Sequence, residues 1–288
     1  MHRRRLSTKC IEPVNHKNLI CRVGDAAGVF TIGQFARRGL RSYVRAINYH
    51  ATPLEHESNF ERQLRFYASH FEDAGMARLR SVLGGGRHPR PAIAITFDDG
   101  YRSNYDVAAS LLEKHGFTGW FFVSSGRLRD LGVDGRTIDG EDADAFMSST
   151  ELRDLIRRGH VVGCHTHSHV RLKHDWGDAR LYDEIVASRK RLQPLLDDPV
   201  ETFCWVGGEE WAYSAAAQAQ VEKAGFPFAF TTNCQVITAK TDPLQIDRTN
   251  VEADWPIHKL RFYLSGAMDL AYKGKSRRVA EELGRRVE

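Results

Sequence analysis

Two adjacent carboxylates, Asp98 and Asp99, directly follow a short apolar run and precede a glycine. The run AIAITF (92–97) suits a buried strand of a parallel sheet, and the carboxyl ends of such strands form the edge where active sites are built. Two neighbouring acids can divide the work, one as a metal ligand and the other as a general base toward a water beside the metal. The alternative is an ordinary Asp-Gly turn with a capping aspartate.

Three histidines within five residues follow a second apolar run, HVVGC (160–164). Neutral imidazole is a common zinc ligand, and a turn would bring His165 and His169 to one side while His167 points elsewhere. A solvated polar loop is the alternative. One aspartate with two histidines is a three-ligand zinc site with a position open to water, which is the catalytic rather than the structural arrangement.

The sequence TFDDG (96–100), followed by H-T-x-S-H (165–169), resembles the polysaccharide deacetylase family, carbohydrate esterase family 4. The resemblance covers roughly residues 45–265. Ile47-Asn48-Tyr49-His50 resembles the Tyr-His that opens the exopolysaccharide branch of the family. The resemblance implies an α/β fold, a distorted (β/α) barrel, and a divalent metal that is usually Zn²⁺, with Co²⁺ or Ni²⁺ as alternatives.

Carried over position by position, the resemblance implies a role for each residue of the two motifs. Asp98 is then the general base and Asp99 a metal ligand. His165 and His169 are the other two ligands.

The third motif departs from the family pattern. Cys204-Trp205-Val206-Gly207-Gly208 stands where the family usually has an Arg-x-Pro or Tyr-Pro-Tyr-Gly segment. The aromatic residue and the glycine are kept, so Trp205 could face a sugar ring and a backbone N–H at Gly207 could stabilise an oxyanion. Trp205 as part of the core is the alternative.

The general acid of the family, a late Leu-x-His, has no clear counterpart. His258 is the one candidate in the C-terminal part, with a surface histidine as the alternative. Arg248 stands where the exopolysaccharide branch tends to place an arginine. It could orient Asp98, or it could pair with a surface carboxylate.

The elements that must position these residues alternate between strand and helix, which predicts parallel βαβ units. The predicted strands are 92–97, 118–123, 160–164, 201–205 and 228–232. The predicted helices include 31–47, 104–115, 214–224, and two that begin with capping boxes at Ser58 and Ser148. A polar insert over 126–149, rich in turn residues, is either a lid or a plain surface insertion.

These elements predict three regions. Residues 1–45 form a basic N-terminal arm that is partly helical, 46–270 a polysaccharide deacetylase-like catalytic domain, and 271–288 a charged C-terminal helix or tail.

Composition excludes several classes of protein. With 288 residues, 42% of them hydrophobic, the chain can build a core and is not wholly disordered. It lacks an apolar run long enough to span a bilayer, and its start, MHRRR, lacks the apolar run of a signal peptide. Five scattered cysteines without a C-x-x-C pair fit a reducing compartment. We therefore expect a cytoplasmic protein.

The net charge of +4 is concentrated near the N-terminus, because residues 1–48 hold ten Lys and Arg against two acids. Such an arm favours anionic surfaces, which predicts peripheral contact with an anionic membrane through residues 1–48. A solvated tail is the alternative. Nucleic acid is not an expected partner, because the arm lacks interleaved aromatic residues and any known module.

The sequence therefore predicts a zinc-dependent hydrolase that removes N-acetyl groups from amino sugars of a surface polysaccharide or of its lipid-linked precursor. An O-acetyl esterase or a deformylase on a glycan is an alternative, because these reactions pass through the same oxyanion. A glycan-binding pseudoenzyme is a second alternative. Asp98 argues against the pseudoenzyme, since a binding protein needs no base beside a metal.

Overall fold

The computed structural model describes residues 16–37, 42–130 and 145–285. Residues 131–144, the central part of the predicted insert, and residues 1–15 of the predicted arm lie outside these ranges. The described strands are β1 (Val44–Tyr49), β2 (Glu72–Asp73), β3 (Ala92–Phe97), β4 (Gly119–Val123), β5 (Val161–Cys164), β6 (Thr202–Cys204), β7 (Phe228–Phe230), β8 (Val236–Ile237) and β9 (Thr249–Asn250).

Eleven α-helices accompany the strands in the described ranges. They are α1 (His16–Ala26), α2 (Val29–Ala36), α3 (Glu57–His70), α4 (Met76–Leu83), α5 (Ser110–Lys114), α6 (Ser149–Arg157), α7 (Asp178–Tyr182), α8 (Ser188–Leu192), α9 (Ala215–Lys223), α10 (Ile257–Leu264) and α11 (Ala267–Glu282). A π-helical segment, Asn104–Ala109, leads into α5, and another, Asp183–Ala187, joins α7 to α8. Among the described residues, no helix combines the length and apolar character that crossing a bilayer requires.

The strands form one sheet in the order β7-β6-β5-β4-β3-β1-β8. All neighbouring pairs from β7 to β1 are parallel, and only β8 at the far edge runs antiparallel. The short strands β2 and β9 add parallel pairs to β3 and β1. The predicted βαβ units and the α/β fold class of the distorted (β/α) barrel are confirmed.

The segment 246–250 brings the two ends of the parallel sheet together. Ile246 forms a parallel bridge with Phe230 of β7. Three residues later, β9 pairs with Ile47 and Asn48 of β1. The sheet therefore curls round, and only a few hydrogen bonds of this segment join its first and last parallel strands.

The strands are apolar on both faces because each face packs against its own cluster. All six residues of β1 and of β3 are buried. Ile93 and Ile95 of β3 belong to the larger cluster, which also contains the apolar faces of the covering helices. Ala92 and Ala94 belong to a second cluster with Trp120, Phe122 and Phe230. This two-sided burial explains the continuous apolar runs by which the strands are recognised.

Two predictions of local structure are wrong, and one is confirmed. The helix expected over 31–47 ends at Ala36, and its last residues form β1, whose six residues are all buried in the sheet. Ser58 is not a cap, since α3 begins at Glu57 and Ser58 lies inside it. The capping box at Ser148 is confirmed, because Ser148 and Glu151 exchange side-chain-to-backbone hydrogen bonds.

The predicted N-terminal arm contains α1 and α2, which pack against α10. The predicted C-terminal region begins within α11. Cysteines 21, 164, 204 and 234 are buried and free, and Cys10 lies outside the described residues.

Candidate metal and catalytic site

The motif residues meet because parallel strands end at one edge of the sheet. Asp98 follows β3, and its backbone N–H donates to the carbonyl of Tyr49 at the end of β1, 2.9 Å away. His165 follows β5, and its N–H donates to the carbonyl of Val123 at the end of β4, also at 2.9 Å. These bonds extend the ladders by one residue, so both motifs lie at the same edge.

The backbone at this edge is unusual. Asp99, Thr166 and His169 have φ values of 71°, 64° and 54°, and Cys234 is the one other non-glycine residue with positive φ in the described ranges. Non-glycine residues with positive φ are uncommon and cluster at functional sites. The conformation therefore points to a site that holds these side chains in fixed positions.

Asp99 lies against both predicted histidine ligands. Its Oδ1 is 2.7 Å from Nε2 of His169 and 3.4 Å from Nε2 of His165. The ligand atoms of the three residues all lie within 4.8 Å of one another. Burial opposes the charge of Asp99, but the two imidazoles hold the pKa of its carboxyl well below its ordinary value.

A metal ion fits these three side chains. Oδ1 of Asp99 is buried and forms no properly oriented hydrogen bond with any described residue, which is rare for a buried carboxylate oxygen. The Nδ1 atom of His165 lies 2.9 Å from the carbonyl of Cys204 and donates its proton there, so Nε2 is the nitrogen that would coordinate a metal. One carboxylate and two imidazoles are the donor set of a three-ligand zinc site.

A second set of possible ligands, Asp98, His165 and Cys204, fits a metal less well. Their donor atoms also lie within 4.8 Å of one another. Both carboxylate oxygens of Asp98, however, accept hydrogen bonds from the guanidinium of Arg248, so a cation there would meet a fixed positive charge. The set of Asp99, His165 and His169 is therefore the better metal site.

Arg248 is fully buried and holds Asp98 in a bidentate pair, with distances of 2.7 and 2.8 Å. Its nitrogens also lie within hydrogen-bond distance of Asn48 and Thr96, of the backbone carbonyl of Thr231 and of the sulfur of Cys204. Burial opposes the ionised form of Asp98, but Arg248 outweighs it and the pKa of Asp98 is lower than usual. The partner of Arg248 is thus the candidate base rather than a surface carboxylate.

Trp205 lies in the core, with 1% of its surface exposed. Its ring packs between those of Phe203 and Tyr213, at centroid distances of 5.6 and 5.3 Å. Trp205 therefore lies where the alternative interpretation, a core residue, placed it, and no face of its ring is available to a sugar. Gly207 has a φ of 82°, and a Cβ there would lie 2.7 Å from a carboxylate oxygen of Glu209, so the turn requires glycine.

The structure does not bring His258 to this cluster. It lies in α10, and its Nε2 is 2.6 Å from Oδ1 of Asn18 on α1. Its pKa is lowered, first by burial and then by the charge of Arg22, while Asp25 opposes the shift. Arg22 and Asp25 both belong to α1. The predicted role of general acid therefore has no support from these contacts.

A different histidine, His50, occupies the site edge. It directly follows β1, next to the backbone bond between Tyr49 and Asp98, and its charge lowers the pKa of Asp98. Its Nδ1 lies 3.9 Å from a carboxylate oxygen of Glu252. In the sequence, His50 stands out only as part of the Ile47–His50 motif, and its position one residue after a strand is the feature that could identify it.

Cys204 is a second site residue whose role the sequence did not predict. Its carbonyl orients His165 and its sulfur contacts Arg248, so it touches both halves of the site. Its position in the altered third motif was the available indication.

Trp211 is an exposed aromatic residue beside the metal-ligand loop. It is 49% exposed, and Arg171 and Lys173 lie 5.6 and 5.8 Å from its ring centre. Arg171 follows His169 by two residues and forms a bidentate ion pair with Glu209. The loop that carries the candidate ligands His165 and His169 and the loop after β6 are thereby connected at the rim of the site.

A carboxylate pair and two histidines at the carboxyl edge of a curled parallel sheet are the arrangement that a barrel-fold hydrolase with a candidate metal site would have. The chain belongs to the polysaccharide deacetylase family, whose sequence profile matches residues 85–229. None of the curated proteins searched matches the chain.

Solved structures of deacetylases have the same fold. The deacetylase PplD of Streptococcus pyogenes, in complex with acetate, is 17% identical, with a TM-score of 0.63 over 76% of this chain and 96% of that chain. The de-N-acetylase of Aggregatibacter actinomycetemcomitans is 14% identical, with a TM-score of 0.64 over 77% of this chain and 100% of the other. IcaB of Ammonifex degensii is 19% identical, with a TM-score of 0.62 over 78% of this chain and 97% of that chain.

Proposed function

We propose that this protein is a metal-dependent deacetylase that hydrolyses N-acetyl groups on amino sugars of a surface polysaccharide or of its precursor. The observation that carries the proposal is the buried Asp99 oxygen without an oriented hydrogen bond, which faces two imidazoles beside the Asp98–Arg248 pair. Membership of the polysaccharide deacetylase family supports the same reaction class. Asp99, His165 and His169 would hold Zn²⁺, or Co²⁺ or Ni²⁺ in its place.

The metal, when bound, supplies a Lewis acid that polarises the acetyl carbonyl and makes water more acidic. Asp98 takes a proton from the attacking water, whose oxygen bonds to the carbonyl carbon. The carbon–nitrogen bond then breaks, and the products are acetate and the free amine. Arg248 positions Asp98 and keeps it ionised, since the guanidinium opposes its protonation. A backbone N–H near Gly207 would add a hydrogen bond to the oxyanion.

The leaving amine needs a proton, and we assign this step to His50. It lies at the same strand edge as Asp98, whereas the contacts of His258 are with α1. A carboxylate oxygen of Glu252 lies 3.9 Å from Nδ1 of His50.

Trp211 suits the sugar-binding part of the proposal. Its ring is half exposed at the rim and is flanked by the loop that carries His165 and His169. An exposed aromatic face offers a broad apolar surface to a sugar ring.

The decisive experiment measures metal content and acetate release together. We expect about one equivalent of metal, and acetate release from N-acetylated oligosaccharides or lipid-linked amino sugars. Asp98→Asn should keep the metal and lose activity by at least about a hundredfold. His165→Ala should lose both. If Asp98→Asn retains full turnover, Asp98 is not the base. Metal without release from any N-acetyl substrate would redirect the proposal to O-acetyl esters or formamides.

A comparison of two histidine variants tests the proton donor. His50→Gln should lower kcat by about a hundredfold or more, because general acid catalysis contributes on this order. The matched variant His258→Gln should leave kcat within about a factor of two, since its contacts are with α1. Both variants should bind metal as the parent does. A large loss of kcat in His258→Gln with little loss in His50→Gln would instead identify His258 as the acid.

A further inference from the structure

The first two helices expose a cluster of apolar side chains. Five of the eight large apolar residues that are exposed in the described ranges lie on α1 and α2. We call them the N-terminal helix face: Leu19, Ile20, Val23, Ile32 and Phe35, with exposed fractions between 50% and 65%. Single exposed apolar residues are ordinary, but five on two consecutive helices indicate an interaction surface.

This face is not the side by which the helices attach to the barrel. Cys21 and Gly24 of α1 point the other way, and a Cβ at Gly24 would lie 2.7 Å from the ring of Phe262 in α10. In α2, Phe30 is buried, and a Cβ at Gly33 would overlap the carbonyl of Ser265. Because both helices dock through glycines at close range, they cannot rotate to bury the N-terminal helix face.

The surroundings of this face are basic. Arg22 is exposed beside Val23 on α1. The sequence of residues 1–48 carries ten basic against two acidic residues, and of the ten, Arg37 and Arg45 pair with Asp269. On α11, Leu270 is 79% exposed and Lys273 is exposed one turn later. Asp269 joins these helices, because it pairs with Arg37 directly after α2 at 2.7 Å.

We propose that the N-terminal helix face docks on a phospholipid bilayer that carries anionic headgroups. Apolar side chains bordered by lysine and arginine are the composition of helices that lie in a membrane interface. Anionic lipids attract such basic segments, whereas a second copy of this chain would bring a like charge against its own. The docking would place the enzyme beside a lipid-linked or membrane-proximal substrate, but it does not depend on the proposed deacetylation.

Vesicle flotation of the full-length protein tests this proposal. We expect the protein to float with vesicles of phosphatidylcholine and phosphatidylglycerol, more weakly as NaCl is raised, and not with pure phosphatidylcholine. The triple variant Ile20→Gln, Val23→Gln, Ile32→Gln should bind at least about tenfold more weakly. The matched control is Leu54→Gln, because Leu54 is 70% exposed but lies outside this face. Far-UV circular dichroism and thermal unfolding should be unchanged in both variants.

Three results would overturn the proposal. The parent protein could fail to float with anionic vesicles, or it could bind neutral vesicles equally well. The triple variant could float as the parent does. Sedimentation velocity tests whether a second copy of the chain occupies the face instead. That would be the result if neither protein binds vesicles and the parent dimerises while the triple variant does not. A protein that binds vesicles but releases no acetate would refute the proposed function alone.

Discussion

Asp98 and Arg248 show how a buried ion pair can keep a carboxylate charged where burial alone would protonate it. Both side chains are almost fully enclosed, and the pair is bidentate. Breaking such a pair leaves an uncompensated buried charge, which is far costlier than the loss of a surface ion pair. The pKa of Asp98 is lowered, so the pair stabilises the fold above the pKa of an unfolded aspartate and loses that contribution as pH falls through the folded value.

Arg248→Met should therefore have two effects. Without the guanidinium, burial raises the pKa of Asp98, and the acid limb of kcat/KM moves to higher pH. The metal-free protein should also lose about 3–5 kcal/mol of unfolding free energy at neutral pH, measured by urea denaturation. Arg248→Lys should give an acid limb and an unfolding free energy between those of the parent and of Arg248→Met, since a lysine keeps the charge but not the bidentate geometry.

The control is the double variant Asp98→Asn, Arg248→Met. It removes both charges, so it should be more stable than Arg248→Met alone. An acid limb at the parent position in Arg248→Met would show that Arg248 does not set the charge of Asp98.

The elements explain which parts of the site the sequence could predict. Asp98, Asp99, His165 and His169 each lie within five residues of the end of a strand, and β3 and β5 are continuous apolar runs. A local pattern was therefore enough to find the edge that carries the candidate metal ligands. The partners of these residues come from distant segments, since Arg248 lies 150 positions after Asp98.

The elements that the sequence did not predict are short or carry a mixed pattern. β9 has two residues, too few for any periodicity, yet it anchors Arg248 against β1. β1 itself contains Arg45, whose charge made the segment resemble an amphipathic helix. Arg45 is 1% exposed, because its charge is neutralised by Asp269 in α11. Without knowledge of that partner, an arginine argues against a buried strand.

At the scale of the whole molecule, Asp269 joins the beginning of the chain to its end. Its carboxylate accepts hydrogen bonds from Arg45 of β1 at 2.8 and 2.7 Å, and from Arg37 after α2 at 2.7 Å. More than 220 positions separate the partners. The N-terminal helices and α11 are thereby held against the same strand, so helices outside the matched family region become part of one folded unit.

Asp269→Asn should accordingly destabilise the protein by about 3–5 kcal/mol, because it leaves the buried Arg45 without a counter-charge. The matched control is Asp25→Asn. Asp25 also joins an N-terminal helix to the C-terminal helices, but its partner Arg261 is 3.4 Å away and 43% exposed, so the loss should be below about 1 kcal/mol. Urea denaturation of both variants measures the difference. Equal losses would mean that burial of the pair does not determine its contribution.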